Sequence, residues 1–205
     1  MHLVTRDKIG VIILAAGESS RLGKAKQLLP YKGVNLLQHA TQVAIDAVSE
    51  PVVVVLGAAF TEISKELQHY RVTIIENPDW QQGMASSIKT GLLKIQELTP
   101  DLTGVILMVC DQPYVTPHLL RKMQVAWQNS GKGMVACAYG DTTGTPALFS
   151  KYYFEELLGL QGQEGAKKIL KAYQPFIPLV AFPLGLVDID TPEDFKSLEQ
   201  DGSGL

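Results

Sequence analysis

Five short apolar runs, interrupted only at Thr73, punctuate the chain at residues 11–15, 52–56, 72–75, 105–109 and 134–138. A strand with one wet face alternates apolar and polar side chains. A run without alternation reads as a strand covered on both faces, which is the condition inside a parallel sheet. Between the runs, Leu36, Leu37, Ala40, Val43, Ala44 and Ala47 recur at helical intervals, as do Ile63 with Leu67, and Ile88, Leu92 and Ile95. Steps of three and four mark amphipathic helices. Strand alternating with helix implies right-handed crossovers and an α/β sandwich.

Past Cys137 the pattern loosens. Residues 147–149 read as a short strand, 152–158 and 166–173 as helices, and 179–182 and 186–189 as further strands. Thr191 as N-cap, Pro192 at the first position and Asp194 at the third predict a last helix, and the 201–205 tail is expected to fray. No repeat or low-complexity linker interrupts the 205 residues, so one domain is expected over 1–205. A chain of this length buries roughly 70% of its unfolded surface and needs no staples.

A net charge of −3 with 19% charged residues argues against wholesale disorder and against a nucleic-acid coat. No run approaches the ~20 apolar residues of a membrane span. Arg6 and Lys8 ahead of residues 10–17 loosely mimic a signal peptide, but that apolar piece is at the lower limit of length and runs into a Gly/Lys loop. A cytoplasmic protein is expected. Cys110 and Cys137, each inside an apolar run, read as buried free thiols.

The first run empties into LAAGESSRLGKAK, residues 14–26. Ligands of an open parallel sheet bind beyond the carboxyl ends of its strands, where this loop would lie. Ala15, Ala16 and Gly17 are small enough for a ligand to approach the backbone. Between Glu18 and Lys32 stand four bases (Arg21, Lys24, Lys26, Lys32) and a single acid, in a chain that is acidic overall. Such a loop suits a polyphosphate, cradled by backbone N–H groups and neutralised by side chains. It is not a Walker A loop, because five residues separate Gly17 from Gly23 and Ala25 follows Lys24; nor is there a GxGxxG fingerprint.

The spelling LAAGxSxRxGxxK resembles the signature loop of Rossmann-like nucleotidyltransferases. With NPDWQQGMASSI (77–88), CDQP (110–113), GTPALF (144–149) and DIDTPED (188–194), the chain resembles the molybdenum cofactor cytidylyltransferase family from residue 10 to about 198. The resemblance implies a three-layer α/β/α sandwich with a mostly parallel sheet, a nucleotide-binding half over about 9–115 and an acceptor-binding half over about 116–200. It implies transfer of CMP from CTP to a molybdopterin-type acceptor with release of pyrophosphate, and a molybdenum hydroxylase as client. Leu14, Ala15, Ala16, Gly17 and Lys26 would bind the triphosphate, and Arg21 and Lys26 would stabilise the departing pyrophosphate.

Asp111, after a strongly apolar strand and two residues before Pro113, is placed to hold Mg²⁺, which favours carboxylate and phosphate oxygens; it can also be read as a turn former. Asp188 and Asp190 flank Ile189 and would share one face of a strand. By resemblance the pair completes the metal site, and the sequence does not separate them; either can instead cap the helix begun at Thr191. Gly83, Ser86 and Ser87 are candidates for nucleotide binding where a helix opens, whereas Trp80 is expected to anchor the core. None of His2, His39, His69 and His118 sits in a triad-like motif with Ser87.

The chain departs from the family pattern at Leu22, at Thr145, where relatives carry His or Asn, and in GQEGAK (162–167), where Gln163 and Lys167 replace Asp and Arg. These changes bear on the acceptor. Two rival readings are guanylyl transfer from GTP, whose family spells the loop LAGG, and a non-catalytic carrier of the nucleotide-bearing cofactor.

Overall fold

In the computed structural model the residues described are 7–18, 22–23, 25–48 and 51–202, the last four by backbone alone. The first apolar run forms β1 (Ile9–Ala15), buried along its whole length. A basic loop and a 3₁₀ turn (Lys26–Leu28) follow. A two-residue ladder of β2 (Pro30–Tyr31) with β3 (Val34–Asn35) then leads into α1 (Leu36–Ala47). Asn35 and Gln38 cap α1 reciprocally, each side chain bonding the other's backbone N–H.

Next come β4 (Val52–Leu56), the single-turn α2 (Phe60–Ile63) continued by a 3₁₀ turn, and β5 (Thr73–Glu76). They are followed by α3 (Met84–Leu98), β6 (Gly104–Val109), α4 (Pro117–Ser130) and the hairpin of β7 (Met134–Tyr139) with β8 (Thr142–Ser150). The chain closes with α5 (Phe154–Leu158), α6 (Lys167–Tyr173), β9 (Leu179–Ala181) and α7 (Pro192–Gly202).

Seven strands form one sheet in the order β5-β4-β1-β6-β8-β7-β9, in which β8 alone runs against its neighbours. Side chains alternate between two apolar layers. Val11 and Ile13 face Leu37, Leu120 and Met123 on one side, while Ile12 and Leu14 face Ile88, Leu92 and Leu170 on the other. The α/β/α expectation holds because both faces of the central strands are covered by helices. From β1 the chain crosses by α1 to β4 on one side, and it returns from β5 by α3 to lay β6 on the other side of β1, so a crevice opens beyond the carboxyl ends of β1 and β6.

A third, smaller apolar cluster ties the basic loop to the last helix. Leu22, Leu29, Tyr31 and Leu36, around the basic loop, pack with Ile189, Phe195 and Leu198 near and on α7. The last helix is thereby pinned beside the first loop. Thr191 caps α7 as expected, its hydroxyl accepting from Asp194 N–H at 3.2 Å while the Asp194 carboxylate accepts from Thr191 N–H at 2.8 Å.

Three expectations change. Residues 186–189 form no strand: a 3₁₀ turn occupies Pro183–Leu186 and leaves Leu186 62% exposed, and Ile189 alone of the run is fully buried. β8 is nine residues long rather than three, because Thr142, Thr143 and Gly144 pair with Tyr139, Ala138 and Cys137 across a two-residue turn. Gly140 takes φ +53 there, as such hairpins require. Finally, α4 was not anticipated, although Thr116 caps it by accepting from Leu119 N–H and Pro117 starts it.

Candidate functional site

β1 and β6 deliver Leu14–Gly17 and Asp111 to the crevice. Gln27, fully buried in the 3₁₀ turn, sends its amide N–H back to the carbonyls of Ala15 at 2.7 Å and Gly17 at 3.0 Å. One side chain thus fixes the curvature of the loop's first arm and satisfies two carbonyls that a ligand-facing loop would otherwise leave bare. The turn that buries Gln27 points its neighbour Lys26 into the crevice.

The Lys26 ammonium bonds Asp111 Oδ2 and lies 3.1 Å from Asp190 Oδ1. Side-chain exposures of 17% for Lys26, 14% for Asp111 and 38% for Asp190 set the group at the mouth of the crevice, half out of water. Burial alone would lower the Lys26 pKa, but the adjacent charge of Asp111, its hydrogen bond and Asp190 raise it above the ordinary value. The ammonium is therefore fully charged. Asp190 reaches this position because Ile189 N–H bonds the Asp111 carbonyl at 3.0 Å, tying 188–190 alongside 111 without a strand ladder.

Asp188 is exposed as a residue, yet its carboxyl is partly desolvated beside Asp111. Desolvation first, and then the charge of Asp111, pushes its pKa up to about 6, with Asp190 adding and the Gln112 amide opposing. The other oxygen of Asp111, Oδ1, is buried and has no hydrogen-bond partner among the described residues. An orphaned carboxylate oxygen among two further carboxylates is a donor set for a hard cation, so the residues fit Mg²⁺ or a similar ion. Among the described residues no three ligating side chains are already gathered as a metal site; Lys26 stands between two of the acids. Cys110, next to Asp111, takes no part: burial pushes its thiol up to about 12.

Opposite the basic loop, the segment after β5 closes a cavity of about 450 Å³. Leu14, Ala15, Ala16, Gly17, Lys26 and Asp111 line one side, and Trp80, Gly83, Met84, Ser87 and Gln163 the other. The fold of this second wall depends on Asn77, which is buried. Its amide N–H donates to Ser86 Oγ at 2.8 Å and Ser87 Oγ at 3.0 Å, while its Oδ1 accepts from Asp79 N–H at 3.0 Å. Gly83 takes φ +109, and a Cβ there would overlap the Gly162 carbonyl group. Its close approach is to the loop carrying Gln163, in addition to the cavity. Ala85 N–H also bonds the Gly162 carbonyl at 3.1 Å, so that loop from the second half of the chain is docked on the start of α3.

The structure thus gathers Leu14, Ala15, Ala16, Gly17, Lys26, Gly83, Ser87 and Asp111 around one cavity, with Asp190 reaching Lys26 and Asp188 bordering Asp111. Ser86 is absent from the cavity wall; its hydroxyl braces the turn at Asp79 and Gly83. Trp80 is half-buried on the wall rather than a core anchor. Arg21 and Lys24 lie outside the described residues. Sequence reasoning passed over Gln27 and Asn77, whose signal was a polar side chain within otherwise apolar or motif-rich surroundings. The free, buried state expected of both thiols holds. Among the described residues no helix is long and apolar enough to cross a membrane.

Residues 11–176 match the protein family described as the MobA-like NTP transferase domain. The molybdenum cofactor cytidylyltransferase of Escherichia coli (strain K12) is 28% identical over 193 residues, covering 94% of this chain and 96% of that protein. The nicotine blue oxidoreductase of Paenarthrobacter nicotinovorans is 39% identical over 201 residues, 92% of each chain. Among solved structures, Rv0371c from Mycobacterium tuberculosis H37Rv superposes with a TM-score of 0.83 at 30% identity, over 96% of this chain and 100% of that one. A second structure of that protein, in complex with manganese, gives 0.78 at 27% identity over 97% and 100%.

Proposed function

The chain belongs to the MobA-like NTP transferase family, and from that premise we propose that it transfers CMP from CTP to the terminal phosphate of molybdenum-loaded molybdopterin. The observation that carries this reading is the lysine held between two aspartates at the mouth of a cavity lined by a small-residue loop. The name of the Escherichia coli relative supports the acceptor and the base, and the nucleotide-binding and acceptor-binding halves are proposed to be about 9–115 and 116–200.

In this mechanism the triphosphate lies along Leu14–Gly17, whose backbone approaches it closely because no bulky side chain intervenes. An oxygen of the acceptor phosphate attacks the α-phosphorus. The new P–O bond forms there as the bond to the β-phosphate bridging oxygen breaks, and pyrophosphate leaves with that electron pair. The acceptor is already anionic, so no strong general base is needed. Lys26, with Arg21, neutralises the charge that builds on the leaving group, and Ser87 and Gly83 hold the nucleotide against the second wall. Asp111 would hold Mg²⁺ with Asp190 or Asp188; such an ion, when bound, neutralises phosphate charge and orients the reacting oxygens. The manganese in the mycobacterial relative accords with a site of carboxylate oxygens. Gln163, docked by Gly83 onto the cavity, is proposed to face the acceptor.

The test follows pyrophosphate while CTP and GTP are titrated with molybdenum-loaded molybdopterin. Release with CTP is the expected result. Release with GTP alone reassigns the base, and nucleotide binding without pyrophosphate identifies a carrier. A redox reaction without pyrophosphate release would move the chain to the reaction class that its oxidoreductase relative is named for. In the same assay Asp111→Ala is expected to lower pyrophosphate release at least about 100-fold, the scale for losing a group that positions transition-state charge. Near-wild-type turnover in that variant would overturn the assigned role of Asp111.

A further inference from the structure

We infer that Lys26 is the cation of the resting site: its ammonium fills the place between Asp111 and Asp190 that a divalent ion takes later, and it gives up that place only when a triphosphate draws it away. This rests on the nucleotidyltransferase reading, and it concerns what the site does before the reaction begins.

Lys26 bonds Asp111 Oδ2 and reaches Asp190 Oδ1 at 3.1 Å, so its charge is shared by one carboxylate from mid-chain and one from just before the last helix. A divalent ion on the same oxygens and an ammonium in contact with them compete: two like charges a few ångströms apart, at a half-buried site, repel. Asp111 has a second oxygen, Oδ1, that the ammonium does not satisfy. A single ammonium is therefore a partial substitute for a divalent ion, strong enough to hold the carboxylates together and too weak to satisfy them.

The side chain is free to move in one useful direction. Lys26 lines the cavity together with Ala15, Ala16 and Gly17, so a polyphosphate lying there presents oxygens to the same ammonium. Lysine is a compact charge on a flexible four-carbon stem, able to swing between two anionic partners without backbone movement. When it turns to the phosphates, Asp111 and Asp190 lose its charge, and the affinity for a divalent ion rises at that moment. The nucleotide-free protein is accordingly a poor binder of metal, and the substrate itself opens the metal site.

The experiment measures Mn²⁺ binding to the full chain without nucleotide, from the electron paramagnetic resonance signal of the free ion. Wild type, Lys26→Met, Lys26→Gln and Lys26→Arg are compared. Both neutral variants are expected to bind Mn²⁺ about tenfold tighter than wild type, and Lys26→Arg, which keeps the charge, no tighter. Adding Asp111→Asn to Lys26→Met is expected to abolish the gain, which assigns the ion to this carboxylate. Thermal denaturation supplies a second readout should one neutral variant fold poorly: 1 mM Mn²⁺, a concentration of about millimolar order as weak sites require, raises the melting temperature of Lys26→Met and Lys26→Gln more than that of wild type. Neutral variants that bind Mn²⁺ no tighter than wild type, and gain no more thermal stability from it, overturn the inference. Since none of this needs CTP or acceptor, a wild-type protein that releases pyrophosphate while the variants fail here would overturn the exchange alone and leave the activity standing.

Discussion

Two hydrogen bonds from the one buried amide of Gln27 hold the first arm of the basic loop. Gln27→Leu keeps the volume and removes both bonds to the Ala15 and Gly17 carbonyls. The expected loss is about 2 kcal/mol in urea unfolding, the scale for buried carbonyls left unpaired, together with a higher KM for nucleotide; unchanged stability would contradict the bracing role. Asp188 offers a test through pH. Its pKa is pushed up to about 6 from the ordinary 3.8, so folding takes up a proton between those values. Its contribution is therefore fully present below about pH 4 and is lost as pH rises through about 6. Asp188→Asn cannot ionise. Relative to wild type it should gain stability between pH 4 and 7, by about 1 kcal/mol once screening at this exposed residue is allowed for. Thermal denaturation across that range in the presence of a chelator checks it, and a difference that stays constant with pH would count against the raised pKa.

At the scale of elements, two glycines on facing walls make opposite predictions. Gly83 combines φ +109 with a backbone contact to Gly162, so Gly83→Ala should cost about 2 kcal/mol or more and lift the Gln163 loop from the cavity. Gly17 has open space where a Cβ would go, so Gly17→Ala should leave urea stability within about 0.5 kcal/mol while impairing nucleotide binding. The parallel strands β1, β4 and β6 were legible because burial on both faces writes itself as an unbroken apolar run, whereas β5, a half-buried edge strand interrupted by Thr73, showed only in its remaining apolar residues. α4 was not, since its buried stripe is narrow: Leu119, Leu120 and Met123 stand among polar residues, and only the Thr116–Pro117 start announced it. The supposed strand at 186–189 failed for the converse reason. Pro183 and Gly185 make a turn whose leucines face water, so apolar composition there did not mean burial. Asp188 and Asp190 nevertheless lie beside Asp111, because the Ile189 to Asp111 backbone bond does what a ladder was expected to do. Gln27 and Asn77 were illegible as braces because their partners are backbone or hydroxyl groups that sequence spacing does not identify.

Over the whole molecule, the antiparallel β8 joins the two halves through one sheet, paired with β6 on one edge and β7 on the other. Trp80 belongs to the first half and Trp127, on α4, to the second, and they are the only two tryptophans. Each can therefore report on its own half. In Trp127→Phe and Trp80→Phe variants, fluorescence and far-ultraviolet circular dichroism should give coincident urea transitions within each protein, as cooperative unfolding requires; separated midpoints would mean that the halves unfold independently. The ion triangle places a further condition on this chain, one of time. Lys26 and Asp111 are 85 positions apart, and Lys26 and Asp190 are 164 apart. At a synthesis rate of roughly 5–20 residues per second, the lysine is made about 8 to 30 s before its second carboxylate exists. For that interval a growing chain can pair its early strands and shape its first loop while the charge at Lys26 remains uncommitted to Asp190. The triangle is a late product of translation, and a ribosome that stalls before residue 190 leaves behind a sheet without it.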